Sequence, residues 1–262
     1  SEKVTPSIYC VTLNRPQKRN ALNIPLLNEI YHTIEALNKD PTVRVIIIKG
    51  AGPIFCAGLD LAEAADPSKS TNSAEMIANV FSIIYNSPHV TIAAVHGAAV
   101  AGGAGLMCAC DLVLATEETK FGFPETQKGL VAAQVLTFLR RQLQERDIRE
   151  LLILGELIDS KKASSIGLIN RVVPKDELDH EVLNMAEKVL LGAPRAITLT
   201  KELIDDLHRS RFDEDLRRAL SHHENARGSD EAKEGILAFL ENRPPAWAEI
   251  IPKQVEDFEF WL

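Results

Sequence analysis

Glu125 and the glycine pair Gly102-Gly103 are the residues of this chain whose types and surroundings suggest chemistry. Glu125 lies in F-G-F-P-E, on a Pro-marked turn after an apolar run. The glycines lie in A-V-A-G-G-A-G-L, where the missing Cβ atoms let a ligand approach the backbone. Backbone N–H groups at a helix start can face a developing anion, and one carboxylate beside them can move a proton. The expected chemistry is enolate stabilisation with proton transfer. A-G-G-A-G lacks the G-x-G-x-x-G spacing of a dinucleotide site, and no G-K-[ST] follows to make a phosphate loop.

The surrounding pattern must hold these groups. Thr91 to Val95 reads as a buried strand, Gly97 to Gly105 as a Gly/Ala-rich turn and Ala104 to Cys110 as a short apolar helix. Leu112 to Ala115 reads as a second buried strand. Upstream, Ile8 to Leu13 and Val43 to Ile48 are strands, and G-A-G-P-I-F-C-A-G-L-D-L (50–61) is a turn with a strand end. Leu27, Ile30, Tyr31, Ile34 and Leu37 mark one amphipathic helix; Ala74, Ile77, Phe81 and Ile84 mark another, after a polar loop from Asp66 to Asn72. The repeating unit is two strands and one helix, so the class is α/β. After Glu125, helices are expected at 135–143 and 148–154, then a helix, a Gly stop and a short strand within 160–174. Beyond Leu178 only helices remain, at 178–191, 194–208, 212–226 and 230–241, the last capped by Ser229. The tail from Pro244 carries both tryptophans, Trp247 and Trp261, and is apolar enough to dock.

With 262 residues, 45% hydrophobic and 25% charged, the composition is that of an ordinary globular protein. A net charge of −8 argues against non-specific nucleic-acid binding. No run of 18 apolar residues suggests a membrane span, and S-E-K-V-T-P-S is neither a signal nor a transit peptide. A cytoplasmic location is expected, or the mitochondrial matrix if a leader has been removed. Cys10, Cys56, Cys108 and Cys110 show no metal-ligand spacing and read as reduced, mostly buried thiols; no metal is expected. His96 reads as a structural imidazole, Asp60 and Asp111 as caps of loop N–H groups, and His222 and His223 as trailing-helix residues without a metal partner.

The blocks N-R-P-Q-K-R-N-A-L-N, F-C-A-G-L-D-L, A-A-V-H-G-A-A-V-A-G-G-A-G-L, C-D-L-V-L-A and F-G-F-P-E-T-Q-K-G-L, in this order, resemble the crotonase superfamily of enoyl-CoA hydratases and isomerases. The likeness continues through G-L-I-N-R-V-V-P and E-G-I-L-A-F-L-E-N-R-P-P-A-W. It implies a spiral core of ββα units (1–177), a helical trimerisation region (178–262), and a homotrimer or a hexamer built as a dimer of trimers. It implies an acyl-CoA substrate and no separate cofactor, coenzyme A being part of the substrate. By motif position the thioester oxygen falls to the Leu59 and Gly102 N–H groups, with Glu125 as the acid/base. Substrate contacts are implied for Lys18, Arg19, Ala57, Leu59, Asp60, Leu61, Gly102, Gly103, Gln134 and Arg243. A salt-bridged surface is an equal reading for Lys18, Arg19 and Arg243.

The chain departs from the hydratase pattern at one place. Hydratases of the family carry a second glutamate where this sequence has Gly105. One carboxylate suffices to shift a double bond, and E-T-Q-K-G-L resembles the corresponding block of Δ3,Δ2-enoyl-CoA isomerases. Isomerisation is therefore the expected reaction. Hydration of a relaxed type is the alternative, with Gln134 holding a water or with Asp60, Glu63 or Asp66 as a surrogate acid. A thioester decarboxylase or hydrolase on the same scaffold is less favoured. So is an RNA-binding homologue, because the helix 24–40 offers Lys39 as its one Lys or Arg.

Overall fold

The computed structural model describes residues 1–64, 67–208 and 211–247, without the side chains of 62, 64 and 67–71. In chain order the elements are β1 (Glu2–Lys3), β2 (Ile8–Leu13), α1 (Ile24–Lys39), β3 (Val45–Gly50), α2 (Leu61–Ala64), α3 (Pro67–Tyr85), β4 (Val90–Val95), β5 (Ala98–Val100) and α4 (Gly102–Cys108). They continue as β6 (Leu112–Thr116), β7 (Lys120–Gly122), α5 (Ala133–Gln142), α6 (Glu145–Leu154), β8 (Ile158–Asp159), α7 (Ser160–Ser165), β9 (Arg171–Val173), α8 (Leu178–Leu190), α9 (Pro194–Asp206), α10 (Phe212–Arg227) and α11 (Asp230–Leu240).

The strands form two sheets. The larger has the order β1-β2-β3-β4-β6-β9, parallel except for β1; the smaller has the order β5-β7-β8. Consecutive strand pairs β4-β5 and β6-β7 each contribute one strand to each sheet. The two-strand, one-helix repeat of the sequence thereby becomes a crotonase-type spiral.

Side-chain alternation along the strands divides the interior in two. Val11, Ile46, Ile48, Ala93, Val95, Val113 and Ala115 face the main core, with α1, α3, α4 and α5. Their neighbours Cys10, Val45, Ile47, Ile92, Ala94 and Leu114 face a second core closed by Leu178, Val182, Met185 and Ala186 of α8. Burial on both faces explains why the strands read as unbroken apolar runs. α10 returns to the main core through Phe212 and Leu216. Phe212 stacks on Tyr85 with ring centroids 4.1 Å apart.

The stretch 67–72, expected as a polar loop, belongs to α3. The Gly/Ala-rich turn is short, because Ala98–Val100 pairs with Lys120–Gly122 and α4 starts at Gly102 rather than Ala104. Strands β1, β5, β7 and β8, two or three residues each, carry too little periodicity to be read from sequence. The four trailing helices lie where expected, and Ser229 accepts a hydrogen bond from Ala232 N at 3.1 Å as the N-cap of α11. All four cysteines are buried free thiols; burial raises Cys56 and Cys108 to about 12. Trp247 is exposed, and the tail beyond it, with Trp261, lies outside the described residues.

Candidate active site

Three parallel segments end together, and their ends carry Leu59, Gly102 and Glu125. Cys56 bridges Ala99, with Val100 N donating to Cys56 O at 3.1 Å; Val100 in turn pairs with Gly122 of β7. Ala101 N donates to Gly122 O at 2.8 Å, which ties the glycine turn to the strand that leads into Glu125. Ligand sites commonly lie at the carboxyl ends of such strands.

The glycine turn is a forced geometry. Ala101 has φ 50° and ψ −124°, a region costly for a residue with a side chain. This bend presents the Gly102 N–H at the start of α4, where it has no intrahelical acceptor. On the other side, Leu22 N donates to Gly58 O at 2.7 Å and Asp60 N to Leu22 O at 2.9 Å, so the intervening Leu59 N–H faces away from that strand. Among the described residues, neither the Leu59 nor the Gly102 N–H donates a hydrogen bond. A Cβ on Gly102 would stand 3.7 Å from Leu59 N, in the space the two donors share. A Cβ on Gly103 would collide with the Cys56 carbonyl oxygen, so close packing requires glycine there.

Glu125 begins the 3-10 turn Thr126–Lys128; its carbonyl accepts from Lys128 N and Leu130 N, both at 2.9 Å. Gly129, at φ 66°, closes the turn. Among the described residues, the Glu125 Oε2 atom is buried without a hydrogen-bond partner. Burial pushes the carboxyl up to about 7, and the neighbouring Lys128 charge opposes the shift. A carboxylate poised near neutrality is suited to take and return a proton.

The other sequence-predicted residues fall around this centre. Lys18 and Arg19 are exposed, and Arg19 O accepts from Ala57 N at 3.0 Å, placing both beside the Leu59 segment. Asp60 pairs with Arg15 at 2.7 Å, and Leu61 starts α2. Gln134 is buried, its Nε2 donating to Ala74 O at 2.9 Å, which commits the amide to joining α5 and α3. Arg243 is gripped by Glu234 at 2.6 and 2.9 Å and by Glu241 at 2.7 Å, forming a salt-bridged surface. Asp111 caps Thr91 N at 2.8 Å and accepts Lys201 at 2.7 Å. His96 contacts Gly52 O at 2.9 Å.

Sequence reading missed Asn20, fully buried at φ 54°. Its Nδ2 lies 2.9–3.0 Å from the carbonyls of Ala51, Ile54 and Phe55, and its Oδ1 accepts from Arg15 N. It pins the loop that delivers Leu59. The N-A-L-N block contains it, but a polar residue in a basic turn gives no sign of burial.

The chain is similar to known proteins over nearly its whole length. The family model described as enoyl-CoA hydratase/isomerase matches residues 3–250. The mouse enoyl-CoA hydratase domain-containing protein 3, mitochondrial, is 30% identical over 95% of this chain and 84% of its own. An enoyl-CoA hydratase structure from Mycobacterium avium superposes with TM-score 0.81 at 33% identity, covering 91% of this chain and 93% of that one. Another, from Mycobacterium avium subsp. paratuberculosis, reaches TM-score 0.84 at 27% identity over 94% and 97%. A match across nearly the whole chain, in sequence and in fold, places this protein in the enoyl-CoA hydratase/isomerase family.

Proposed function

We propose that this enzyme shifts a double bond in an enoyl-CoA thioester from C3 to C2, with Glu125 as its single acid/base. The Glu125 carboxylate removes a proton from C2 of a 3-enoyl thioester. The electron pair spreads through a dienolate whose thioester oxygen accepts hydrogen bonds from the Leu59 and Gly102 N–H groups. Return of the proton to C4 leaves the double bond at C2.

The observation that carries this reading is Gly105. The Phe81 ring and Val135 fill the place where a second carboxylate would start, at 2.6 and 2.9 Å from a Cβ built there. Two of the surrogate acids are engaged elsewhere. Asp60 pairs with Arg15, and Glu63 Oε2 accepts the first N–H of α1, from Ile24, at 2.8 Å. Asp66 lies outside the described residues.

Hydration is the second reading, favoured by the hydratase names of the relatives in the preceding comparison. It would have Glu125 activate a water at the buried Oε2 edge. Product analysis with 3-enoyl-CoA and 2-enoyl-CoA, offered separately, decides between them. Formation of 3-hydroxyacyl-CoA at a rate matching or exceeding isomerisation overturns the isomerase reading.

The same proposal includes a trimer-based oligomer. α9 has no fully buried residue among those described, and Leu199, Leu203 and Ile204 on it are exposed, as is Leu207 at its C-terminal cap. An apolar face of that kind suits burial against a second copy.

A further inference from the structure

α11 lies against the turn that carries Glu125 and touches it along one helix face, through Ala232, Gly235, Ile236 and Phe239. A Cβ on Gly235 would stand 2.5 Å from both the carbonyl carbon and the carbonyl oxygen of Lys128, so the Lys128 backbone occupies the place of a side chain. A Cβ on Gly129 would likewise stand 2.5 Å from the carbonyl carbon of Glu231 and 2.6 Å from its oxygen. Leu130 completes the contact, buried with Ala232 and Ile236. Glycine inside a helix is unfavourable on its own account; here the close approach of a second backbone requires it.

The residues that α11 touches are bonded to Glu125 itself. Lys128 N and Leu130 N both donate to Glu125 O at 2.9 Å, so a displacement of Lys128 is passed to the residue that bears the carboxylate. The Lys128 side chain returns to α11, with Nζ 5.3 Å from the centroid of the Phe239 ring. An aromatic face at that distance attracts an ammonium and restrains it. Burial pulls the Lys128 ammonium below its ordinary range, and the Glu125 charge opposes this; the Lys128 charge in turn holds the Glu125 carboxyl down. The other charged groups on the elements packed around the turn have partners of their own. On α11, Glu234 holds Arg243 and Asp230 holds Lys233, while Glu231 is exposed. Glu63 of α2 accepts Ile24 N, and His223 and Arg227 of α10 act on each other. α6 meets the turn through the Ile153 and Leu154 carbonyls.

We propose that α11 positions the acid/base: Gly235 seats the Lys128 backbone, and Phe239 holds the Lys128 ammonium where its charge acts on Glu125. Gly235 and Phe239 are positioning residues, acting on the reaction through Lys128 and Glu125. The inference rests on Glu125 as the acid/base of the proposed function, but not on which reaction follows.

The ¹³C resonance of the Glu125 carboxyl, assigned by its absence from Glu125→Gln, reads this coupling without turnover. Its titration midpoint moves to higher pH in Phe239→Leu, by no more than in Lys128→Met, because water screens the released ammonium. With Lys128→Met already in place, Phe239→Leu adds no further shift. Phe239→Tyr keeps the ring and keeps the wild-type midpoint. Gly235→Ala displaces the turn and lowers kcat by about 10- to 10²-fold with KM little changed. Gly228→Ala is the control: a Cβ there meets nothing closer than 3.5 Å, and neither kcat nor the midpoint moves. The Phe239 variants overpack nothing, so they carry the test whether or not Gly235→Ala folds. An unmoved midpoint in Phe239→Leu, or an equal shift without Lys128, overturns the role of Phe239; wild-type kcat in Gly235→Ala overturns that of Gly235. Wild-type turnover in Glu125→Gln overturns the proposed function itself, an outcome read separately from the ¹³C titrations.

Discussion

A side chain at Gly105 would run into the Phe81 ring: a Cβ there would lie 2.6 Å from Cζ and 2.8 Å from Cε2 of Phe81. Both Phe81 and Gly105 are buried, and Phe81 also packs edge-on against Phe138, so the ring is held from behind. The absent second carboxylate is thus part of the packing of α3, α4 and α5. Gly105→Glu alone should destabilise the protein by roughly 1–3 kcal/mol from overpacking, plus the cost of a buried charge, and add no hydration. Combined with Phe81→Ala, which vacates the place, the glutamate should raise 3-hydroxyacyl-CoA formation from 2-enoyl-CoA. Urea denaturation and product analysis check the two halves. A well-folded single variant that hydrates faster than wild type would show that the ring yields freely.

Glu125→Gln keeps the shape of the side chain and removes the base. Turnover should fall by about 10²–10⁴, as for loss of a general base. In the wild-type enzyme the carboxyl titrates near 7 and works ionised, so kcat/KM should rise with pH and level off above about 7. Removing the neighbouring charge, as in Lys128→Met, should move this limb to higher pH, because that charge holds the carboxyl down. A pH–rate profile that ignores both substitutions assigns the proton transfer elsewhere.

Much of this site is legible in the sequence because it is carried by backbone and by contiguous blocks. F-C-A-G-L and V-A-G-G-A-G each specify a turn whose N–H groups form the proposed oxyanion hole, and F-G-F-P-E specifies the carboxylate turn. What sequence alone cannot convey is the lateral contact. The short β5–β7 pair that brings Gly102 and Glu125 to one end has three residues per strand, too few for a period to show. The role of Asn20 arises from burial by distant segments. Gln134 and Arg243 illustrate the converse: polar residues in family-like positions whose side-chain groups are engaged by Ala74 and by Glu234 and Glu241.

Assembly can be tested on α9. Its exposed Leu203 and Leu207 lie one turn apart, with Ile204 beside them. Leu203→Glu with Leu207→Glu should leave the circular dichroism of the chain unchanged, because both side chains are exposed in their own subunit. Light scattering should then report a smaller species than wild type at micromolar concentration. An unchanged mass would clear this face of a role, and a monomeric wild-type protein would remove the oligomer altogether.

Glu125 and His223 leave opposed signatures in stability. Below about 4.5 the Glu125 carboxyl is protonated both folded and unfolded. Between 4.5 and about 7 the unfolded chain ionises while the buried group keeps its proton, so rising pH favours unfolding. His223 acts in the other direction. Its ring stays neutral in the fold down to about 4 but charges below 6.5 when unfolded, so falling pH favours unfolding. Each shift corresponds to something on the order of 3 kcal/mol, and between 4.5 and 6.5 the two slopes nearly cancel. Urea titrations across pH 4.5 to 8 should therefore separate them. Relative to wild type, Glu125→Gln should gain stability progressively as the pH rises towards 8. His223→Phe should gain relative stability progressively as the pH falls. Differences from wild type that do not change with pH would mean that neither group is buried from solvent in the way the structure shows.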